Sequence, residues 1–191
     1  MYLILGILVG LFVLFQIYVV WSRSNIESYS YTVVKKYPDF EIRSYEASLF
    51  TSVKLGTSDY KKSSSKGFSI LAGYIFGGNE QNEKISMTSP VSLSMDDSMT
   101  MMFLVPKNLK KENLPKPNQS QIEFKEEPAK KLAAIRFGGW ASDEKLAQYK
   151  QKLITALNAQ GIQHKSNFSF LGYNAPFDLF FRRNEVVVGV E

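Results

Sequence analysis

Hydrophobic positions along this chain follow three different patterns. The first 22 residues, MYLILGILVGLFVLFQIYVVWS, contain no Lys, Arg, Asp or Glu, and as a helix rising about 1.5 Å per residue they would reach across the roughly 30 Å of a hydrocarbon core. This run predicts an uncleaved transmembrane anchor over 1–22, because there is no basic residue before Arg23 and no A-x-A pattern near it of the kind that marks a removable signal. Arg23, Lys35 and Lys36 follow the run, so the positive-inside rule predicts a single-pass membrane protein whose C-terminal body is cytoplasmic. The polar stretch 23–30 then serves as a linker to a body over 31–191.

Beyond the linker the period shortens to two. YTVVKKY and FEIRSYE read as strands around Pro38 and Asp39; in the second, Phe40, Ile42 and Ser44 alternate with Glu41, Arg43 and Tyr45. SLFTSVKL adds another. Over 58–76 the pattern turns helical, with Phe68, Leu71, Ala72 and Ile75 at i, i+3, i+4 and i+7, and Gly77-Gly78 ends it. The polar run 61–66 is the solvated face or frayed start of that helix. KISMTSPVSLSM and SMTMMFLVP are strand-like and joined at the turn-forming pair Asp96-Asp97. A loop with Pro115 and Pro117 leads to the strands QIEFKEE and KLAAIRF.

A second helix is predicted over 142–160, with Ser142 as N-cap, Asp143 and Glu144 in the first turn, and Leu146, Tyr149, Leu153 and Leu157 on one side. SNFSFLGY and NEVVVGVE close the chain as strands around the loop NAPFDLFFRR. Both halves thus run strands, one amphipathic helix, two strands. The order predicts an α+β fold of two βαββ-type lobes, forming a distorted antiparallel barrel or double sheet with two flanking helices.

Composition removes several functions. The net charge is +5, but Lys and Arg are interspersed with Asp and Glu and no helix carries a basic stripe, so a nucleic-acid partner is not expected. With no cysteine, disulfides, thiolate catalysis and cysteine-based metal centres are excluded. Ser-His-Asp chemistry would rest on the single histidine, His164, and GYIFGGNE follows a helix where a phosphate loop would open one. No catalytic constellation and no metal site are expected.

Five of the six methionines, Met87, Met95, Met99, Met101 and Met102, fall within residues 84–107. Thioethers can bind soft metals, yet Met101 and Met102 point to opposite faces of a strand and no Cys or His lies near, so the pattern favours packing, with one or two lining a groove.

Read in order, KISMTSPV, MMFLVP, RFGGW, LGYNAPF and FFRRNEVVVGVE, with GYIFGGNE, resemble the SOUL heme-binding protein family over residues 31–191. The resemblance implies a monomeric α+β body with a pseudo-twofold repeat and a shallow apolar groove that takes heme or another tetrapyrrole reversibly, as a buffer, carrier or sensor and not as an enzyme. It carries the ligand contacts to Phe68, Leu71 and Ile75 on the first helix and to the segment 174–183, where Phe177, Leu179, Arg182 and Arg183 stand, with Tyr173 just before it. Either arginine could pair with propionates, or with Glu185 instead. The family's proposed axial position falls on Ser44, which is no useful iron ligand, leaving Tyr45 and Tyr173 as possible phenolates; Asp178 stands where some relatives carry Lys. A second reading, from another class, is an effector-binding sensor module resembling the gyrase-inhibitor-like domains.

Overall fold

Period-two runs become strands, and here they join edge to edge. The structure is a computed structural model that describes residues 2–22, 26–56, 59–96, 98–175, 178–179 and 181–191. In chain order it contains helix α1 (Tyr2–Ser22), strands β1 (Glu27–Ser28), β2 (Tyr31–Lys36), β3 (Glu41–Tyr45) and β4 (Ser48–Lys54), and helix α2 (Tyr60–Ile75). Strands β5 (Thr88–Ser89), β6 (Val91–Ser94), β7 (Thr100–Leu104), β8 (Ile122–Glu127) and β9 (Lys130–Phe137) follow. Helix α3 (Asp143–Ala159), β10 (His164–Gly172) and β11 (Asn184–Val190) complete it.

Nine strands form one antiparallel sheet in the order β2-β3-β9-β11-β10-β6-β7-β4-β8, among the described residues. This order contains the expected duplication. Strand β4, helix α2 and strands β6 and β7 form one lobe; β9, α3, β10 and β11 form the other, and the lobes meet where β6 pairs with β10. Each lobe also lends its leading strand to its partner, β3 to β9 and β8 to β4. Reversing the order of the eight strands from β3 to β8 maps one lobe onto the other, so the α+β fold has a pseudo-twofold axis between β6 and β10.

Both amphipathic helices cover the same sheet face. Asp59 caps α2 by accepting from the Lys62 amide at 2.9 Å, and the chain leaves the helix at Gly77, whose φ of +108° a side chain would oppose. Its inner stripe includes Gly67, Ile70, Leu71 and Tyr74. A Cβ at Gly67 would stand 3.0 Å from Leu55 Cδ1 and from Met101 Sδ, so a costly mid-helix glycine is kept where the helix must approach the sheet closely. Ser142 caps α3, which buries Leu146, Leu153 and Leu157. Their contacts, with Phe137, Phe168, Phe170, Val186 and Val188 from the sheet, make the main core. Met99 and Met101 pack into it, whereas Met102 packs against the opposite face.

That second face is smaller and ringed with tyrosine. Tyr45, Phe50, Leu104, Leu132, Ala134, Leu171 and Val187 form its core together with Tyr29, which stands in the stretch read as linker. The stretch is structured at Glu27–Ser28, which pairs in parallel with Thr88–Ser89.

The membrane expectation is corrected. Residues 2–22 are helical, but among the described residues no helix is long and apolar enough to cross a membrane. Gln16 places an amide in the second half of α1, and Gln16 and Val19, one turn apart, are buried against other parts of the chain, where a span would offer apolar groups to lipid on every side. The anchor over 1–22, the single-pass membrane localisation and the cytoplasmic placement derived from it therefore fall.

Candidate functional site

On the helical face, between α2 and the loops that close the second lobe, lies a groove of about 790 Å³. Helical spacing builds its first wall: Tyr60, Ser64, Phe68, Ala72 and Phe76 recur every fourth residue along the side of α2 next to the buried stripe. The floor comes from the lobe junction, with Val91, Leu93, Met101, Phe170 and Gly172. Trp140, Ala141, Asn174 and Arg182 form the far wall. Phe68, Phe76 and Trp140 are 38%, 56% and 55% exposed; three aromatic rings left open around one concavity offer a surface for a flat apolar partner.

The far wall is held in place by hydrogen bonds. Asn184 Nδ2 donates to the Gly139 carbonyl at 2.7 Å and Lys145 Nζ to that of Gly138 at 2.7 Å, fixing a turn in which Gly139 has φ +73°. This turn presents Trp140. Arg182 lies with its guanidinium carbon 4.0 Å from the centre of the Trp140 ring and donates from Nη1 to the carbonyls of Ala175 (3.0 Å) and Asp178 (2.6 Å). Asn174 organises the rest, accepting from the Arg183 amide at 2.6 Å and donating to the Asp178 carboxylate. Tyr60, edge-on to Phe170 at 5.5 Å, donates from its backbone amide to Asp143 Oδ1 at 2.9 Å, a bond that ties the N-termini of α2 and α3 together. Burial raises the pKa of the Tyr60 hydroxyl, with Arg182 acting in the opposite direction.

The residues expected to touch ligand are distributed unevenly. Phe68 and Arg182 line the groove. Ile75 lies in a smaller concavity next to it, shared with Phe68, Phe76 and Met87, and Leu71 is wholly buried beneath α2. Leu179 is exposed on the loop. Phe177 lies outside the described residues. Tyr173 and Arg183 are on the opposite face of the sheet, within a buried polar cluster.

In that cluster Glu185, fully buried, receives Arg43 Nη1 at 2.8 Å, Arg183 Nε at 2.9 Å and the Tyr173 hydroxyl at 3.0 Å. Arg183 also donates to the Tyr31 hydroxyl at 2.9 Å and lies 3.9 Å from the Tyr173 ring centre. Burial alone would raise the Glu185 carboxyl, but the Arg43 hydrogen bond and the two guanidinium charges hold it below the usual carboxylate range. Burial first, and then the Glu185 charge, push the Tyr173 phenol up; burial likewise takes Tyr45 up to about 12. Both phenols therefore resist the ionisation that ferric iron would ask of them. Ser44 sits in β3 opposite Thr32 and Lys131. His164, at the start of β10, packs edge-on to Phe168 and is bonded to the Lys165 carbonyl. Neither lines the groove.

Sequence reasoning missed Tyr60, Phe76, Trp140 and Asn184, and reached Asn174 only as the first residue of the loop segment. Phe76 could have been found by extending the Phe68-Ala72 spacing one turn, and Trp140 by asking why a tryptophan follows two glycines.

A family profile described as SOUL heme-binding protein matches residues 26–189. Heme-binding protein 2 of Mus musculus is 29% identical over 157 residues, spanning 77% of this chain and 76% of its own length. Heme-binding protein 1 of Xenopus laevis is 25% identical over 155 residues, spanning 77% and 81%. Among solved structures, the EcmrR C-terminal domain superposes with a TM-score of 0.62 at 13% identity, covering 84% of this chain and 98% of that one. A hydrolase from Listeria innocua superposes at 0.53 and 10% identity, covering 80% and 92%; at such identities the likeness is one of fold alone. Matched over nearly its whole body by the family's pattern, and built as two lobes around an aromatic groove, the chain belongs to the SOUL heme-binding protein family.

Proposed function

We propose that this chain binds heme or a related tetrapyrrole reversibly, without turnover, in the groove between α2 and the Trp140 and Arg182 wall. The observation that carries the reading is the trio of open rings, Phe68, Phe76 and Trp140, around a concavity of about 790 Å³. Family membership and the heme-binding relatives support the ligand class. Phe68 and Trp140 supply apolar faces, and Arg182 offers a guanidinium for a propionate. Leu179 extends the apolar surface along the loop. Leu71 and Ile75 shape the helix from behind, and Tyr173 and Arg183 hold the loop from the far side of the sheet. Bound in this way the ligand could be buffered, carried or sensed.

Affinity here rests on apolar burial. Among the described residues the thioether nearest the groove is that of Met101, buried with its sulfur directly under Gly67, and His164 stands elsewhere. Titrating the protein with heme and with iron-free protoporphyrin, followed by the Soret band, should give dissociation constants within about threefold of each other and at most moderate affinity. A preference for heme above a hundredfold would place an iron ligand in the site and overturn this account.

An effector-sensing role for cationic small molecules is the second reading. It would need an uncompensated carboxylate in the groove, whereas no acidic side chain lines it among the described residues, and Asp178 and Glu185 are engaged by Asn174 and by Arg43 with Arg183. Tight uptake of tetraphenylphosphonium together with no Soret change on heme addition would favour it.

A further inference from the structure

The opposite face of the sheet holds a second cavity, of about 450 Å³, that shares no residue with the aromatic groove. Strand alternation builds it. Phe50, Leu132, Leu171 and Val187 turn away from the helices, and the curl of the sheet brings them around one apolar floor. Tyr29 closes it from above, held by its amide bond to the Ser89 carbonyl at 2.8 Å and by its ring against Tyr45 and Phe50. The size is that of a small-molecule site.

Its rim is positively charged. Glu127 is engaged by both Lys125 and Lys130, whereas Lys131 and Lys165, also lining the cavity, are exposed and form no ion pair among the described residues. Lys165 is positioned by its neighbour: a Cβ on Gly189 would come within 3.0 Å of Lys165 Cδ, so the missing side chain is what lets the lysine stem lie across β11. The interior holds a donor as well. The Tyr29 hydroxyl is buried and has no hydrogen-bond partner among the described residues, and an orphaned donor of this kind is worth explaining. Burial, and then the charge of Glu127, keep that phenol protonated, ready to donate to an acceptor oxygen.

We propose that this cavity is a second ligand site, for an organic anion with an apolar body such as a medium-chain carboxylate, whose tail lies on the Phe50 and Leu171 floor and whose carboxylate meets Lys131, Lys165 and the Tyr29 hydroxyl. Nothing in the tetrapyrrole reading requires it, and the two stand or fall separately.

Calorimetric titration of the full chain with laurate tests it, with dodecyltrimethylammonium as a probe of equal length and opposite charge. Saturable 1:1 binding of laurate, at least about tenfold tighter than the cation, is expected from the charge of the rim. The double variant Lys131→Glu/Lys165→Glu changes only exposed side chains; it should weaken laurate at least about tenfold while leaving heme titration unchanged. Tyr29→Phe removes a hydroxyl that has no partner among the described residues, so it should weaken laurate about fivefold without lowering the melting temperature of the ligand-free protein. Equal affinity for laurate and the cation, indifference to the lysine reversals, or competition between laurate and heme would each overturn the proposal.

Discussion

Trp140→Ala is the perturbation that asks most of the proposed groove. The ring is 55% exposed, and since a tryptophan side chain presents up to about 250 Å², roughly 140 Å² of apolar surface is open to a partner. A flat macrocycle lying against one side would cover about half of it. At about 25 cal/mol per Å² the loss is about 1.7 kcal/mol, or about twentyfold in dissociation constant. One competing effect must be weighed. Removing the ring also removes the cation–π contact that Arg182 makes at 4.0 Å, worth about 0.5–1 kcal/mol at an exposed site. Arg182 remains bonded to the Ala175 and Asp178 carbonyls, so its charge stays at the wall. The loss should therefore be the same for heme and for iron-free protoporphyrin, and Trp140→Phe, which keeps a ring, should lose less than about threefold. Soret titrations of the three proteins provide the measurement. If Trp140→Ala binds both ligands within twofold of the parent while melting normally, the groove is not the tetrapyrrole site.

Three further outcomes concern what keeps the groove in shape. Glu185→Gln leaves Arg43 buried without its principal counter-charge, and should cost about 3 kcal/mol, lowering the melting temperature by about 6–12 °C. Because the folded carboxyl is held below its unfolded value, its contribution is full above about pH 4.5 and is lost as pH falls through the folded pKa; the gap between parent and variant in urea melts should close under acid conditions. In the alkaline direction the sign reverses. Tyr45 rises to about 12 on burial, so stability should fall as pH rises from about 10, where the unfolded phenol ionises, and an early rise in tyrosinate absorbance with no unfolding would contradict this. Gly67→Val places a side chain against Leu55 and Met101 and should destabilise by about 1–3 kcal/mol in thermal melts, splaying α2 and weakening heme binding as well.

The architecture was legible in the sequence because it rests on periodicity. Alternation marked β3 and β9, and the Phe68, Leu71, Ile75 spacing marked α2, since side chains buried on one face must recur at the period of their element. The exchange of leading strands between lobes was not legible; β3 pairs with β9 across roughly 90 residues of chain, and alternation says which face a strand buries but not which neighbour it takes. The site was legible only in part, for the same reason. Helical spacing identifies a face only to within one residue of rotation, so Leu71 and Phe68 read alike, yet Leu71 lies fully under the helix and Phe68 opens to the groove. The first 22 residues misled because composition alone cannot tell an apolar helix in lipid from one partly covered by its own chain at Gln16 and Val19.

The paired arginines show how one strand serves both faces. Going into β11 the chain alternates: Arg182 and Asn184 line the groove, while Arg183 and Glu185 enter the buried cluster with Arg43, Tyr31 and Tyr173. Read singly, either arginine could have bound propionate. The alternation assigns them different tasks, because a one-residue slip would put Arg183 in the groove and bury Arg182 where no acid answers it. A buried ion network contributes little net stability over a packed apolar core, but it strongly penalises the wrong register, in which its charges would be buried unpaired. Glu185, with four donors on the face opposite the groove, is thus what fixes Arg182 and Asn184 at the groove's far wall.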